Sequence, residues 1–386
     1  MLKVALVVQR CGLEVNGGAE FHCLKIAQRM SKYWDVEILT TCALDYLTWE
    51  NFYPPGTTEI AGVKTRRFRV DRLRNLEEFA ELSQIISYRF LESSLEEEEN
   101  WMKAQGPFSS DLLVYLWQQK DNYDAFIFFT YLYATTYFGL PLVADRAYLV
   151  PLAHDEWCIY LSLWKGFFAL PQGFMFNTQQ EKFFLETLFP HIHWSGYVAG
   201  LALEKPPLVT DGFANYGSFL LYIGRIDTSK GCQELFNNFL AYKEKVNSPQ
   251  KLILLGKAQM PIPKHQDVIY LGFVDEQTKW SALAYCDLLI MPSPYESLSL
   301  VLLEAWQMSK GVLVNGECEV LVQQCRRSNA GLWYSSQQEF IYLLESIPQA
   351  TWNQLGKQGN TFVEENYQWD KIEQKYLKLL GSTKAL

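Results

Sequence analysis

The sequence predicts an α/β protein built from two doubly wound units. Three observations carry that prediction. Short apolar runs alternate with stretches of helical spacing through the first half, and the same alternation returns more cleanly in the second half. Between the halves, residues 196–215 hold Pro206-Pro207 and three glycines, the composition of a linker. Strand–helix alternation of this kind argues for mostly parallel sheets covered on both faces. A length of 386 residues, at about 150 residues per domain, allows two or three domains.

The elements follow in order. Residues 4–9 form a buried-strand run, too short for a secretory leader, and no apolar run is long enough to span a membrane. Residues 19–31 have helical spacing and 36–41 form a second strand. Residues 63–70 are strand-like but polar, which predicts an edge strand, and 76–101 read as mostly helical and highly charged. AFIFFT at 125–130, YLVPLA at 148–153 and residues 174–178 are further strands. In the second half, strands at 219–226, 251–255, 268–273, 288–292, 312–315 and 332–334 alternate with helices at 232–245, 276–285 and 300–308. Helical segments at 351–366 and 369–380 close the chain. The expected domains are residues 1–205 and 206–366. Two such units would face each other across a cleft, with ligands beyond the carboxyl ends of the strands.

Composition narrows the function classes. At 49% hydrophobic and 15% aromatic, the chain is not disordered. A net charge of −9 speaks against a general nucleic-acid binder, although it leaves a local basic site open. The eight cysteines form no C-x-x-C pair and read as reduced core thiols of a cytosolic protein.

Two motifs carry chemistry. Gly224-Arg225-Ile226-Asp227-Thr228-Ser229-Lys230-Gly231 follows an apolar strand and opens a helix. Arg225 offers a fork, Lys230 a point charge and the helix N-terminus partial positive charge, a set that suits a diphosphate. The same residues fit a solvated surface turn equally well. The second motif runs Pro292-Ser293-Pro294-Tyr295-Glu296-Ser297-Leu298-Ser299-Leu300 and continues to Glu304. Ser299 suits a helix N-cap, and free amides near Leu298, Ser299 and Leu300 can meet a phosphate. Glu296 and Glu304 can accept hydrogen bonds from sugar hydroxyls. Either glutamate alone also fits a surface ion pair.

Arg225 with Lys230, followed by Glu296 and Glu304 as E-x(7)-E, resembles the retaining glycosyltransferases of family four, which have the GT-B fold. The resemblance covers nearly the whole chain and is strongest over residues 219–334. It implies that Arg225 and Lys230 bind the diphosphate of a nucleotide sugar and that Glu304 holds the ribose hydroxyls. Glu296 would touch the donor sugar, and the amides of Leu298, Ser299 and Leu300 the distal phosphate. Phe273 and Val274, after Gly272, match the segment that holds the base. In the first half, Asn16-Gly17-Gly18-Ala19-Glu20 matches a Gly-rich loop at the donor phosphates and acceptor, and His154 matches a histidine near the transferred sugar. A plain strand-to-helix turn and a structural histidine are the bland alternatives for these two. The resemblance also implies that the final helix, 367–386, packs back on the N-terminal, acceptor-side unit.

This chain departs from the family at Ser297-Leu298-Ser299, where many members carry G-F-G, and at Asn315-Gly316-Glu317-Cys318-Glu319, where a Gly-rich turn is usual. No D-x-D or H-E-x-x-H occurs, and His191-x-His193 lacks nearby ligands, so no metal and no cofactor is expected. The expected function is metal-independent transfer from a UDP-, GDP- or ADP-sugar to a hydroxyl of a glycan, a lipid-linked sugar or a small molecule, as in polysaccharide biosynthesis. A nucleotide-sugar epimerase and a non-catalytic nucleotide- or sugar-binding relative are the alternatives. Lys64-Thr65-Arg66-Arg67-Phe68-Arg69-Val70-Asp71-Arg72-Leu73-Arg74 is a basic stretch suited to anionic lipid, which would place a cytoplasmic protein peripherally at the inner membrane face. Glu96 to Glu99 read as solvated charges.

Overall fold

The computed structural model describes residues 1–15, 17–89 and 92–381. The chain divides into two compact units, one of Met1–Leu201 with the chain from Ile372, the other of Ala202–Lys371. Asn16 of the Gly-rich motif and residues 382–386 of the expected terminal helix lie outside the described residues.

The first unit is an eight-stranded sheet. Its strands are β1 (Lys3–Val7), β2 (Asp35–Thr41), β3 (Gly56–Ile60), β4 (Val63–Phe68), β5 (Ala125–Phe129), β6 (Ala147–Val150), β7 (Gly173–Phe176) and β8 (Gly196–Val198), in the order β3-β4-β2-β1-β5-β6-β7-β8. All pairs are parallel except the β3–β4 hairpin, with Val4 opposite both Val36 and Ala125. β5 is buried at every residue, which explains its unbroken AFIFF. Phe126 and Phe128 join Trp101, Tyr131 and Trp164 in one core.

Two expectations are corrected here. The polar 63–70 segment is not an edge: β4 lies between β2 and β3, and the edge is β3, whose first four residues are exposed. The linker begins later than 196, because β8 pairs with β7. Gly196 permits that pairing, since a Cβ there would sit 2.0 Å from the Phe174 carbonyl oxygen. The charged 76–101 segment is two helices, Leu76–Tyr88 and Leu95–Gln105, the second opened by a Ser94/Glu97 capping box. Glu98 departs from the solvated reading of its run: it is fully buried and accepts hydrogen bonds from Ser93 Oγ, Ser162 Oγ and the Leu163 amide, each at 2.8 Å. From Ile372 onward the last helix packs on this unit, where Glu373 pairs with Lys32 Nζ at 2.8 Å and accepts from Tyr33 Oη at 3.0 Å.

The second unit is a six-stranded parallel sheet of β9 (Phe219–Ile223), β10 (Lys251–Leu255), β11 (Val268–Gly272), β12 (Leu288–Met291), β13 (Gly311–Asn315) and β14 (Gly331–Tyr334). The order β11-β10-β9-β12-β13-β14 reverses direction between β9 and β12. Ligands in such sheets bind outside the strand carboxyl ends at the reversal. Both sequence motifs follow those two strands.

Candidate functional site

The loop after β9 is held by its own side chains and by backbone contacts. Tyr222 Oη donates to the Arg225 carbonyl at 2.5 Å, and buried Ile226 bridges to Ala258. Asp227 Oδ1 accepts from the Lys230 amide at 2.9 Å and from Ser229 Oγ at 2.6 Å, closing the turn that presents Lys230. Arg225 Nη1 lies 3.4 Å from Asp227 Oδ2. Gly231 then starts the helix Cys232–Lys245 with φ 71°, and a Cβ at this position would stand 2.1 Å from the Pro292 carbonyl oxygen. Only glycine satisfies both the angle and the approach. The first motif is thereby seated on the second.

The seating brings the charges together. Lys230 Nζ meets Glu296 Oε1 at 2.7 Å, with side chains 28% and 16% exposed. Asn315, at the end of β13, donates to the Pro292 carbonyl at 2.9 Å. Gln324 donates to the Leu298 carbonyl. Ser299 caps the helix Leu300–Gln307 by accepting from the Leu302 amide at 3.4 Å, but does so at φ 63°. That left-handed geometry favours glycine, and a serine there carries strain on the order of 1–3 kcal/mol. The Ser297-Leu298-Ser299 departure therefore keeps a glycine-like backbone at its last residue.

Glu304 sits apart from the Lys230–Glu296 pair. Its Oε1 pairs with Lys279 Nζ at 2.7 Å, and Lys279 also reaches Glu276 Oε2 at 2.9 Å. Glu304 Oε2 is buried and accepts no hydrogen bond from any described group. Burial pushes the Glu304 carboxyl above the usual carboxylate range, and Lys279 pulls it back. Lys279 was not singled out from the sequence. The signal available was the Glu276, Lys279 spacing of three residues on a helix. Beyond β11, Gly272 accepts from the Gly256 amide at 2.8 Å, Phe273 is 64% exposed with Lys257 Nζ 5.8 Å from its ring centre, and Val274 is half-buried.

The first unit holds the remaining candidates. His154 follows β6, with Nδ1 3.3 Å from Glu156 Oε1, and that oxygen accepts from buried Tyr131 Oη at 2.9 Å. A residue the sequence reading missed anchors this loop. Glu181, fully buried, accepts from the Ala153 amide at 2.7 Å and the Asn177 amide at 2.6 Å, tying the ends of β6 and β7. Burial pushes its carboxyl up to about 8 against the pull of four backbone amides. Gly17 and Gly18 start the helix Gly18–Met30, over which Glu20 pairs with Arg10 Nε at 2.5 Å in a buried ion pair.

The basic stretch is not a free cationic surface. Lys64 and Arg66 pair with Glu37 at 3.3 and 3.0 Å. Arg67 is buried and donates to Thr58 Oγ1 and the Cys11 carbonyl. Arg72 pairs with Glu78, and Arg74 donates to the Tyr46 and Gln105 carbonyls, while Arg69 is exposed. No helix among the described residues is long and apolar enough to cross a membrane. All eight cysteines are buried and free.

Residues 217–346 match the family model for glycosyl transferases group 1. Over 169 residues the chain is 25% identical to an uncharacterised glycosyltransferase of Methanocaldococcus jannaschii, a match that covers 40% of this chain and 42% of that relative's length. Sucrose-phosphate synthase from Thermosynechococcus elongatus is similar in structure with a TM-score of 0.66 at 15% identity, covering 99% of this chain and 100% of that one. HepE of Anabaena, solved with UDP and glucose, gives 0.64 at 14% identity over 99% and 100% of the two chains. An Escherichia coli protein of the trehalose-6-phosphate group, bound with UDP-2-fluoro glucose, gives 0.69 at 12% over 98% of each. The fold is GT-B, and the matched segment supports a glycosyltransferase.

Proposed function

We propose that the protein is a retaining, metal-independent glycosyltransferase that moves a sugar from a nucleotide-diphosphate sugar to an acceptor hydroxyl. The observation that carries this reading is the seating of Gly231 on Pro292, which sets Lys230 2.7 Å from Glu296 at the sheet reversal. Cleaving the anomeric bond develops positive charge on the sugar and negative charge on the diphosphate. Lys230, Arg225 and the amides that start the helix Leu300–Gln307 stabilise the departing diphosphate. One such donor is typically worth about 3 kcal/mol in the transition state. In the ground state Glu296 holds Lys230 in place, and donor binding frees Glu296 to accept from sugar hydroxyls.

Glu304 offers its open Oε2 to the ribose. Phe273 and Val274 provide the surface for the base. The complexes of HepE with UDP and glucose and with UDP-glucose favour a uridine donor. His154, Gly17 and Gly18 serve the sugar and acceptor on the first unit, where a glycan, a lipid-linked sugar or a small molecule presents the hydroxyl. Attack comes from the face the diphosphate leaves, with a donor phosphate oxygen taking the proton, so no protein nucleophile is required.

The test is a panel of UDP-, GDP- and ADP-sugars with mixed hydroxyl acceptors, the product anomer being read by NMR. The expected product keeps the donor's configuration. Glu296→Ala is expected to lower turnover more than nucleotide affinity. Inverted product contradicts the retaining mechanism, and an epimerised sugar formed from donor alone identifies an epimerase instead.

A further inference from the structure

We propose that Lys279 is a positioning residue for the donor: it fixes one oxygen of Glu304 so that the other is left open to receive the paired hydroxyls of a ribose. The inference rests on the reading of Glu304 as the ribose contact. It adds a residue from a different helix, Glu276–Tyr285, and a reason for the geometry.

Three other buried glutamates, Glu98, Glu181 and Glu37, spend both oxygens. Glu98 Oε1 accepts from Ser93, while Oε2 accepts from Ser162 and Leu163. Glu181 divides its oxygens between Ala153 and Asn177. Glu37 meets Arg66 with Oε1 and Tyr123 with Oε2. Glu304 uses only Oε1, on Lys279 at 2.7 Å, and its buried Oε2 has no described partner. A buried acceptor left unmet is costly, so the arrangement is explained by a donor that arrives from outside.

The charge state matters as much as the direction. An ionised carboxylate only accepts, so a single oxygen can take hydrogens from two neighbouring hydroxyls. A protonated one donates and forfeits part of that capacity. Burial favours the protonated form, and Glu276 on the neighbouring helix adds like charge. Lys279 opposes both, and its own second contact to Glu276 at 2.9 Å keeps the ammonium in place. Among the described residues, Lys279 and Glu276 are the charged groups that act on Glu304.

The experiment measures binding of uridine, guanosine and adenosine diphosphates and their 2′,3′-dideoxy forms, from mildly acidic to alkaline pH. It uses the full chain and its Lys279→Met, Lys279→Arg and Glu304→Gln variants. The wild type is expected to prefer one ribo form over its dideoxy form on the order of tenfold, the worth of a charge-assisted hydrogen bond. Glu304→Gln should abolish that preference at every pH. Lys279→Met should show a weakened preference that strengthens as pH rises and Glu304 ionises, and Lys279→Arg should keep it. Lys279→Gln, which retains a donor without charge, gives the same readout where the methionine variant does not fold. A Lys279→Met preference and pH profile matching the wild type overturns the proposal and leaves the Glu304 role standing. A Glu304→Gln variant that keeps the preference, or a wild type that binds none of the diphosphates, overturns the ribose reading beneath it.

Discussion

The two units place polar residues at equivalent points, the carboxyl ends of parallel strands, and treat them differently. In the first unit the charges are closed off: Arg10 on Glu20 at 2.5 Å, and Glu181 on the backbone of two strand ends. In the second, they are held but left partly unmet, with Lys230 and Glu296 in contact yet part-exposed and Glu304 with a bare Oε2. A closed ion pair specifies structure, whereas an open one is poised for a ligand. The difference assigns scaffold work to the first set and donor chemistry to the second.

Substitution in each unit separates those roles. Arg10→Met leaves Glu20 buried and unpaired, and the expected loss is about 3–5 kcal/mol of stability in chemical denaturation. Lys230→Ala, by contrast, removes a part-exposed partner. It is expected to shift the denaturation midpoint little while cutting turnover on the order of a hundredfold. A large stability loss at Lys230 together with unchanged turnover would erase the distinction.

Glu181 sharpens the comparison from the first unit's side with a smaller effect. Its folded-state pKa of about 8 lies above the ordinary value of 4.5. The folded state therefore binds the proton more tightly, and the stability linked to it is fully present below the ordinary pKa and lost as pH rises through about 8. The melting-temperature gap between wild type and Glu181→Gln should shrink steadily from mildly acidic to alkaline pH. A gap independent of pH contradicts the raised value.

The sequence shows the second unit more plainly than the first for a physical reason. Strands β9 and β10 and the helices Cys232–Lys245 and Glu276–Tyr285 are short, locally consistent segments, and the E-x(7)-E pair lies within one loop and helix start. In the first unit, β4 was read as an edge because lysine and arginine interrupt it, yet Glu37 and the Cys11 carbonyl neutralise those cations from distant positions. β8 was hidden because Gly196 looks like a linker residue until Phe174 lies across from it. Lys279 and Glu181 escaped for the same reason. The contacts that define their roles, Lys279 with Glu304 and Glu181 with the Ala153 amide, span 25 and 28 residues, so no spacing rule joins those pairs. The φ of Ser299 was invisible for a different reason, since serine gives no hint of a left-handed backbone.

The central claim is that the second unit grips a nucleoside diphosphate through Lys230. Calorimetric titration of the full chain with uridine, guanosine and adenosine diphosphates tests it directly. One of them is expected to bind, with that binding lost in Lys230→Ala and kept in Lys64→Ala, whose charge is already paired with Glu37. Binding that survives in Lys230→Ala, or no binding of any diphosphate to the wild type, contradicts it.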